Sequence, residues 1–210
     1  MNNFLREAAS RYLSDAAVLA TLIRSGRETP AEALTRATRL LAAAGGSLRT
    51  VVEADAGALS ATAHDRLQAA FELVRRLMEE TLRRQDCLNS PQEVKRYLAT
   101  RLREAQREIF AVLFLDTRHR LLVFEELCYG TIDGATVPPR VVAQRALRHN
   151  AAALIVAHNH PSGHAEPSQA DIQLTRRLRD ALALVEVRLL DHIVVGDGEW
   201  VSFAERGLLS

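Results

Sequence analysis

Cysteine is scarce in this chain. Cys87 and Cys128 are its only two cysteines, which excludes a disulfide framework and a cysteine-based zinc site. Long apolar runs are missing too. None approaches the ~18 residues that a membrane span needs. Met1 to Arg11 mixes charged and apolar types and lacks the apolar core of a signal peptide, so the expected compartment is the cytoplasm. Surplus charge is also absent. The formal net charge is +1, and basic and acidic side chains nearly balance in residues 1–87 and again in 88–210. That balance predicts weak or no nonspecific binding to nucleic acid. Lys95 is the only lysine among 27 basic residues. The arginines spread through both halves without clustering, so they read as a coding preference rather than a phosphate-binding patch.

What is present fits a globular protein of one large domain or two small ones. The first part reads as helices alone. Ser14 caps a segment from Asp15 to Ile23. Thr29-Pro30-Ala31-Glu32 is a capping box with proline at the first helical position, and the helix it opens ends at Gly45-Gly46. A short element covers Leu48 to Ala54. Leu67, Ala70, Phe71, Val74 and Leu77 repeat at helical spacing in a long helix to about Arg84. Ser90-Pro91-Gln92-Glu93 is a further capping box, opening a helix that ends near Arg103.

From there strands and helices alternate. Strands are expected at Ile109–Leu115, Leu121–Tyr129, Ala153–Ala157, Val187–Val195 and Trp200–Phe203, and helices at Pro139–His149 and Ser168–Leu184. Ala153–Ala157 is fully apolar, as buried strands are. These textures predict an all-helical domain over residues 1–86 and an α/β domain over residues 90–210.

The chemistry concentrates at Ala157-His158-Asn159-His160-Pro161-Ser162-Gly163 and at Pro167-Ser168-Gln169-Ala170-Asp171. His158 and His160 are two apart at a strand end, so in extended backbone both imidazoles project to one side. Asp171 sits in the first turn of the following helix. If the loop folds that helix end over the strand end, two imidazole nitrogens and one carboxylate oxygen converge. Three protein ligands and one open position make the catalytic form of zinc coordination, whose water has a pKa near 7. A second reading of Asp171 stays open: Ser168 to Asp171 also fits a capping box.

The string His-x-His-Pro with Asp eleven positions after the second His resembles the JAMM motif of the JAB1/MPN metalloproteases. The fuller pattern is similar to the RadC family. It includes Gly130-Thr131 and Pro139-Arg140-Val141-Val142 upstream, Asp191-His192-Ile193-Val194-Val195-Gly196 downstream, and the closing Ser202-Phe203-Ala204-Glu205-Arg206-Gly207. The resemblance covers residues 90–210 densely. It implies an α/β (α+β) cytidine-deaminase-like sandwich preceded by a small helix-hairpin-helix-like domain. Further implications are a zinc ion on His158, His160 and Asp171, a serine at Ser168 that helps hold the oxygen of the tetrahedral intermediate, and a general-base glutamate. Glu108, just before the Ile109–Leu115 strand, fits the last place, with Glu125 and Glu126 as rivals. The implied substrate is a peptide or isopeptide-like amide.

One departure stands out. Relatives carry a Gly-Ile-Gly turn followed by lysine in the N-terminal region, where this chain reads Ala58-Leu59-Ser60 and has no lysine. A glycine turn presents backbone N–H groups to phosphate, so its loss argues against DNA reading. A DNA-associated role in repair or recombination and a non-catalytic zinc scaffold are the competing functions. His64, His119 and His149 are expected at the surface, His164 near substrate or in solvent, His192 as a satisfied structural histidine, and Trp200 in core or hairpin packing.

Overall fold

The computed structural model describes residues 13–53, 59–103, 105–130 and 137–209. Ala54, Ala58 and Thr131 therefore lie outside the described residues. Helix α1 (Asp15–Ile23) starts where the extended Ser14 accepts the Ala17 N–H on its hydroxyl. Helix α2 (Pro30–Ala43) begins with a complete capping box: Thr29 Oγ1 accepts from the Glu32 N–H, and the Glu32 carboxylate accepts from the Thr29 N–H at 2.8 Å. Gly45 and Gly46, both at positive φ, end it as only glycine does without strain. Helices α3 (Leu48–Glu53) and α4 (Ala61–Arg84) follow. Leu19, Ile23, Ala33, Ala37, Val51 and Leu67 bury together in one apolar cluster.

The chain divides into two compact units, one up to Val74 and one from Arg75 onward, so α4 begins in the first and ends in the second. The second unit is mixed α/β. Its elements are α5 (Pro91–Leu102), β1 (Ile109–Leu115), β2 (Leu121–Tyr129), α6 (Pro139–Arg148), β3 (Ala153–Asn159), α7 (Gln169–Ala183), β4 (Arg188–Val195) and β5 (Trp200–Ser202). The five strands form one sheet in the order β2-β1-β3-β4-β5. All neighbours are antiparallel except β3 and β4, which are parallel and joined by the α7 crossover.

β1 is buried along its whole length because both faces of the sheet are covered, which removes any polar alternation. Ala111, Leu113 and Leu115 pack with Tyr97, Leu98 and Leu102 of α5. Phe110, Val112 and Phe114 pack with Val142 and Ala146 of α6 and Leu178 and Leu182 of α7. Helices thus lie on both sides of the sheet. No helix among the described residues is long and apolar enough to cross a membrane.

Some expectations about the elements need correction. Ser90 makes no side-chain cap, because its φ of −133° and ψ of 50° are not the extended geometry a cap requires; its hydroxyl donates to Gln85 instead. β3 runs two residues beyond Ala157, since His158 and Asn159 still pair with Val194 and Val195. Trp200, expected in core or hairpin packing, pairs with Val195 in the β4–β5 hairpin; it is 38% exposed and lies 5.9 Å from the Lys95 ammonium, outside the core.

Candidate metal centre

β3 carries His158 at its C-terminal end, with its side chain 1% exposed. Its backbone is paired on both sides, to Phe110 of β1 and Val194 of β4, so its position is fixed by two ladders. His160 follows one residue past the strand. Its N–H donates to Val195 O at 3.0 Å, and its carbonyl accepts from Gly163 N at 2.9 Å. The turn that leads away rests on the β4–β5 connection, where Asp197 N donates to Gly163 O at 2.7 Å. Gly196 is required at this crossing. A Cβ there would stand 2.3 Å from Gly163 O, far inside van der Waals contact.

Asp171 comes from the other direction. Ser168 is the extended N-cap of α7, its hydroxyl accepts from Asp171 N, and the Asp171 carboxylate accepts back from Ser168 N at 2.7 Å. The capping box therefore forms, and it does not exclude the ligand reading. Oδ2 serves the cap, while Oδ1 stands 3.5 Å from His158 Nε2. His160 Nε2 lies 3.7 Å from Oδ2 and 3.0 Å from His158 Nε2. One ligand atom from each of the three residues falls within 4.8 Å of the others.

This donor set suits a cation. His160 Nδ1 lies 2.8 Å from the His164 carbonyl, and a carbonyl only accepts, so Nδ1 carries a proton. When His160 is neutral its Nε2 then presents a lone pair to His158 Nε2. Two ring nitrogens this close need either a proton or a metal between them. Two imidazoles and one carboxylate are a donor set that suits a divalent transition metal such as zinc.

The electrostatics agree. Burial pushes His158 down to about 4, so it stays neutral and available as a ligand. The adjacent Asp171 carboxylate raises His160. Burial alone would raise Asp171, but the two histidines and Ser168 hold it well below the usual carboxylate range. In the absence of a metal, Asp171 thus favours the protonated form of His160, while burial keeps His158 neutral.

A pH prediction follows for chelator-treated protein. The raised His160 contributes stability that is full below 6.5 and lost as pH rises through its folded value. The depressed His158 contributes stability that is present above 6.5 and lost as pH falls toward about 4. Tm should therefore decline on both sides of neutrality, and His160→Ala should remove the alkaline decline selectively. An unchanged alkaline limb in that variant would count against the assignment.

Glu108 immediately precedes β1. Phe110 is opposite His158 in the antiparallel β1–β3 register, so continuing the register two residues puts Glu108 opposite His160 on the same face. Its carboxyl is raised, first by burial and then by the negative charge of Asp171, with His160 opposing. It is thus electrostatically coupled to the three-residue group. Asn159, between the two histidines, holds this approach. Its Oδ1 accepts from Ile109 N at 2.8 Å, and its amide donates to Ala105 O and Arg107 O. Glu125 and Glu126 are engaged elsewhere. Glu125 pairs with Arg145 and His149, and Glu126 pairs with Arg101.

Ser168 is exposed, and its hydroxyl donates to Asp171 Oδ2 at 2.6 Å. His164 is exposed beside the group. His192 is fully buried, with partners on both ring nitrogens. His64, His119 and His149 are half-buried rather than at the surface. His119 lies 2.8 Å from an Arg188 nitrogen and His149 the same distance from Glu125. Sequence reading missed the roles of Asn159 and Thr175. For Asn159 the signal was available: an amide between two strand-end histidines must point to the opposite face, where only backbone awaits it.

Residues 88–208 match the RadC-like JAB domain family. A UPF0758 protein of Nitrosococcus oceani is 55% identical over 98% of this chain and 93% of its own length. One from Thioalkalivibrio sulfidiphilus is 56% identical over 94% of this chain and 90% of its own. Another, from Vibrio cholerae, is 52% identical over 97% and 92%. With the family match spanning more than half of the chain and relatives this similar from end to end, the chain belongs to the RadC family.

Proposed function

We propose that residues 90–210 form a zinc-dependent hydrolase of the JAMM type, with a cytidine-deaminase-like α/β sandwich, acting in the cytoplasm on a peptide or isopeptide-like amide. The observation that carries this reading is the convergence of His158 Nε2, His160 Nε2 and Asp171 Oδ1 beside Glu108. His158, His160 and Asp171 hold the ion. Bound zinc supplies Lewis acidity and lowers the pKa of water. Glu108 takes a proton from the attacking water and returns it to the leaving amine, a role its raised affinity for protons suits. Ser168 helps hold the developing oxyanion, exchanging its hydrogen bond from Asp171 Oδ2 to the substrate oxygen. A pure scaffold has no use for a half-buried glutamate coupled to the ligand group. Zinc-loaded protein should hydrolyse members of a library of fluorogenic peptide and lysine-isopeptide amides. Activity that survives both chelation and Glu108→Gln would remove the proposal.

Residues 1–86 we read as a helical module with a degenerate helix-hairpin-helix turn that packs or binds a partner and does not read DNA. At the start of α4 the Ser60 hydroxyl accepts the Ala63 N–H, occupying a donor that a phosphate would otherwise take. The full chain should bind duplex DNA more weakly than about micromolar at physiological salt, the loose end of nonspecific binding. Fluorescence anisotropy measures this, and tighter binding contradicts it.

A further inference from the structure

Behind the three-residue group lies a second, buried layer. Thr175 and His192 are 1% and 0% exposed, and four short contacts join them to the candidate ligands in a closed chain. Thr175 Oγ1 donates to the Asp171 carbonyl at 2.6 Å. It also lies 2.6 Å from His192 Nδ1. His192 Nε2 lies 2.8 Å from His158 Nδ1. The fourth contact is the approach of His158 Nε2 to Asp171 Oδ1 at 3.5 Å.

The direction of every proton in this chain follows from one end. A carbonyl has no proton to give, so the Thr175 hydroxyl proton points to Asp171 O. The hydroxyl then has only lone pairs left for His192, so His192 Nδ1 carries the proton. A neutral imidazole with Nδ1 protonated has a bare Nε2. That nitrogen must accept, so His158 Nδ1 carries the proton and donates it. His158 Nε2 is consequently bare, and it faces His160 and Asp171.

We infer that Thr175 and His192 are positioning residues that fix the Nδ1-protonated tautomer of His158 and aim its free Nε2 at the metal position. This rests on the metal-centre reading above and deepens it. Metal-ligating histidines commonly donate their second nitrogen to a carboxylate, a carbonyl or water. Here the acceptor is a neutral imidazole. It sets the orientation without adding a negative charge behind the ligand, so a bound metal would receive less electron density and would keep more of its Lewis acidity. The packing holds the acceptor still. His192 stacks on Phe203 with ring centroids 4.6 Å apart and meets the edge of Phe110 at 6.0 Å. Its backbone N–H donates to Asp191 Oδ1 at 2.7 Å, and the same carboxylate accepts from Ser202 and Ala204. The ring therefore has one orientation available.

The test begins with long-range ¹H–¹⁵N correlation spectra of the imidazoles in the metal-free full chain, near neutral pH. His158 and His192 should both show the Nδ1-protonated pattern. Zinc affinity is then measured by chelator competition. His192→Phe keeps the aromatic packing but offers no acceptor, and should weaken zinc binding about 10–100-fold. His192→Gln restores an acceptor for His158 and a donor for Thr175, and should recover affinity to within a few-fold of wild type. Rescue by Gln but not Phe separates positioning from simple packing. A proton on His158 Nε2 in the wild-type spectrum would overturn the inference, whether or not His192→Phe folds. So would equal zinc affinity in the wild type and folded His192→Phe. If the wild type shows the inferred tautomers but takes up no zinc, the hydrogen-bond relay stands and the metal-centre reading fails.

Discussion

Glu108→Gln is expected to lower amide hydrolysis about 10²–10⁴-fold while zinc stays bound, the loss typical of removing a general base. Glutamine keeps the size and a carbonyl oxygen but cannot accept the proton. The residue is suited to the task by its surroundings. Burial and the charge of Asp171 raise its affinity for protons, which moves a carboxylate toward the pH at which it must work. Its backbone is braced on both sides: Glu108 O accepts from Gly130 N at 2.8 Å, and Asn159 holds Ile109 and Arg107. Because Glu108 is no member of the three-residue group, zinc stoichiometry should not change. A structural glutamate would give a small change in stability and an unaltered rate. Parallel Glu125→Gln and Glu126→Gln variants should retain activity, since their carboxylates engage Arg145 and His149, and Arg101. Loss of turnover in either of those, with Glu108→Gln active, would move the base to β2.

Much of this was readable in the chain itself. The strands Ile109–Leu115 and Leu121–Tyr129 fall where the sequence reading puts them, on either side of the turn at Asp116–Arg120. The turn is closed locally, by Asp116 accepting from Arg118 and Arg120, and local chemistry is what sequence reading captures best. The helix starts at Ser14, Thr29 and Ser168 were legible for the same reason. Ser90 shows the limit. It has the right residues, but its backbone takes a different conformation, and the preceding turn supplies Gln85 as a nearer partner.

The convergence of His158, His160 and Asp171 depended on a loop folding back. In the structure that fold-back is held by Gly163 at positive φ and by Gly196 under the crossing. Thr175 and His192 were not legible as a relay. They are distant in sequence from each other and from His158, and only the α7 crossover between parallel β3 and β4 brings them together. The sequence left Trp200 between core and hairpin packing, because aromatic content alone does not say which face of a short edge strand is covered.

The second large effect concerns the metal itself. On the proposed three-ligand set, loss of one should weaken zinc binding by more than the roughly 10–100-fold that a lost outer partner costs. His160 is the residue to change. It is only half-buried and lies past the strand, so alanine there should leave the sheet intact. His158→Ala would instead empty a buried position and break the hydrogen bond to His192. The most direct measurement is the zinc content of wild type and His160→Ala by elemental analysis, after stripping with chelator, reloading and desalting. The account predicts about one zinc per wild-type chain and far less in the variant. Equal metal in the two proteins, or none in the wild type, would contradict it.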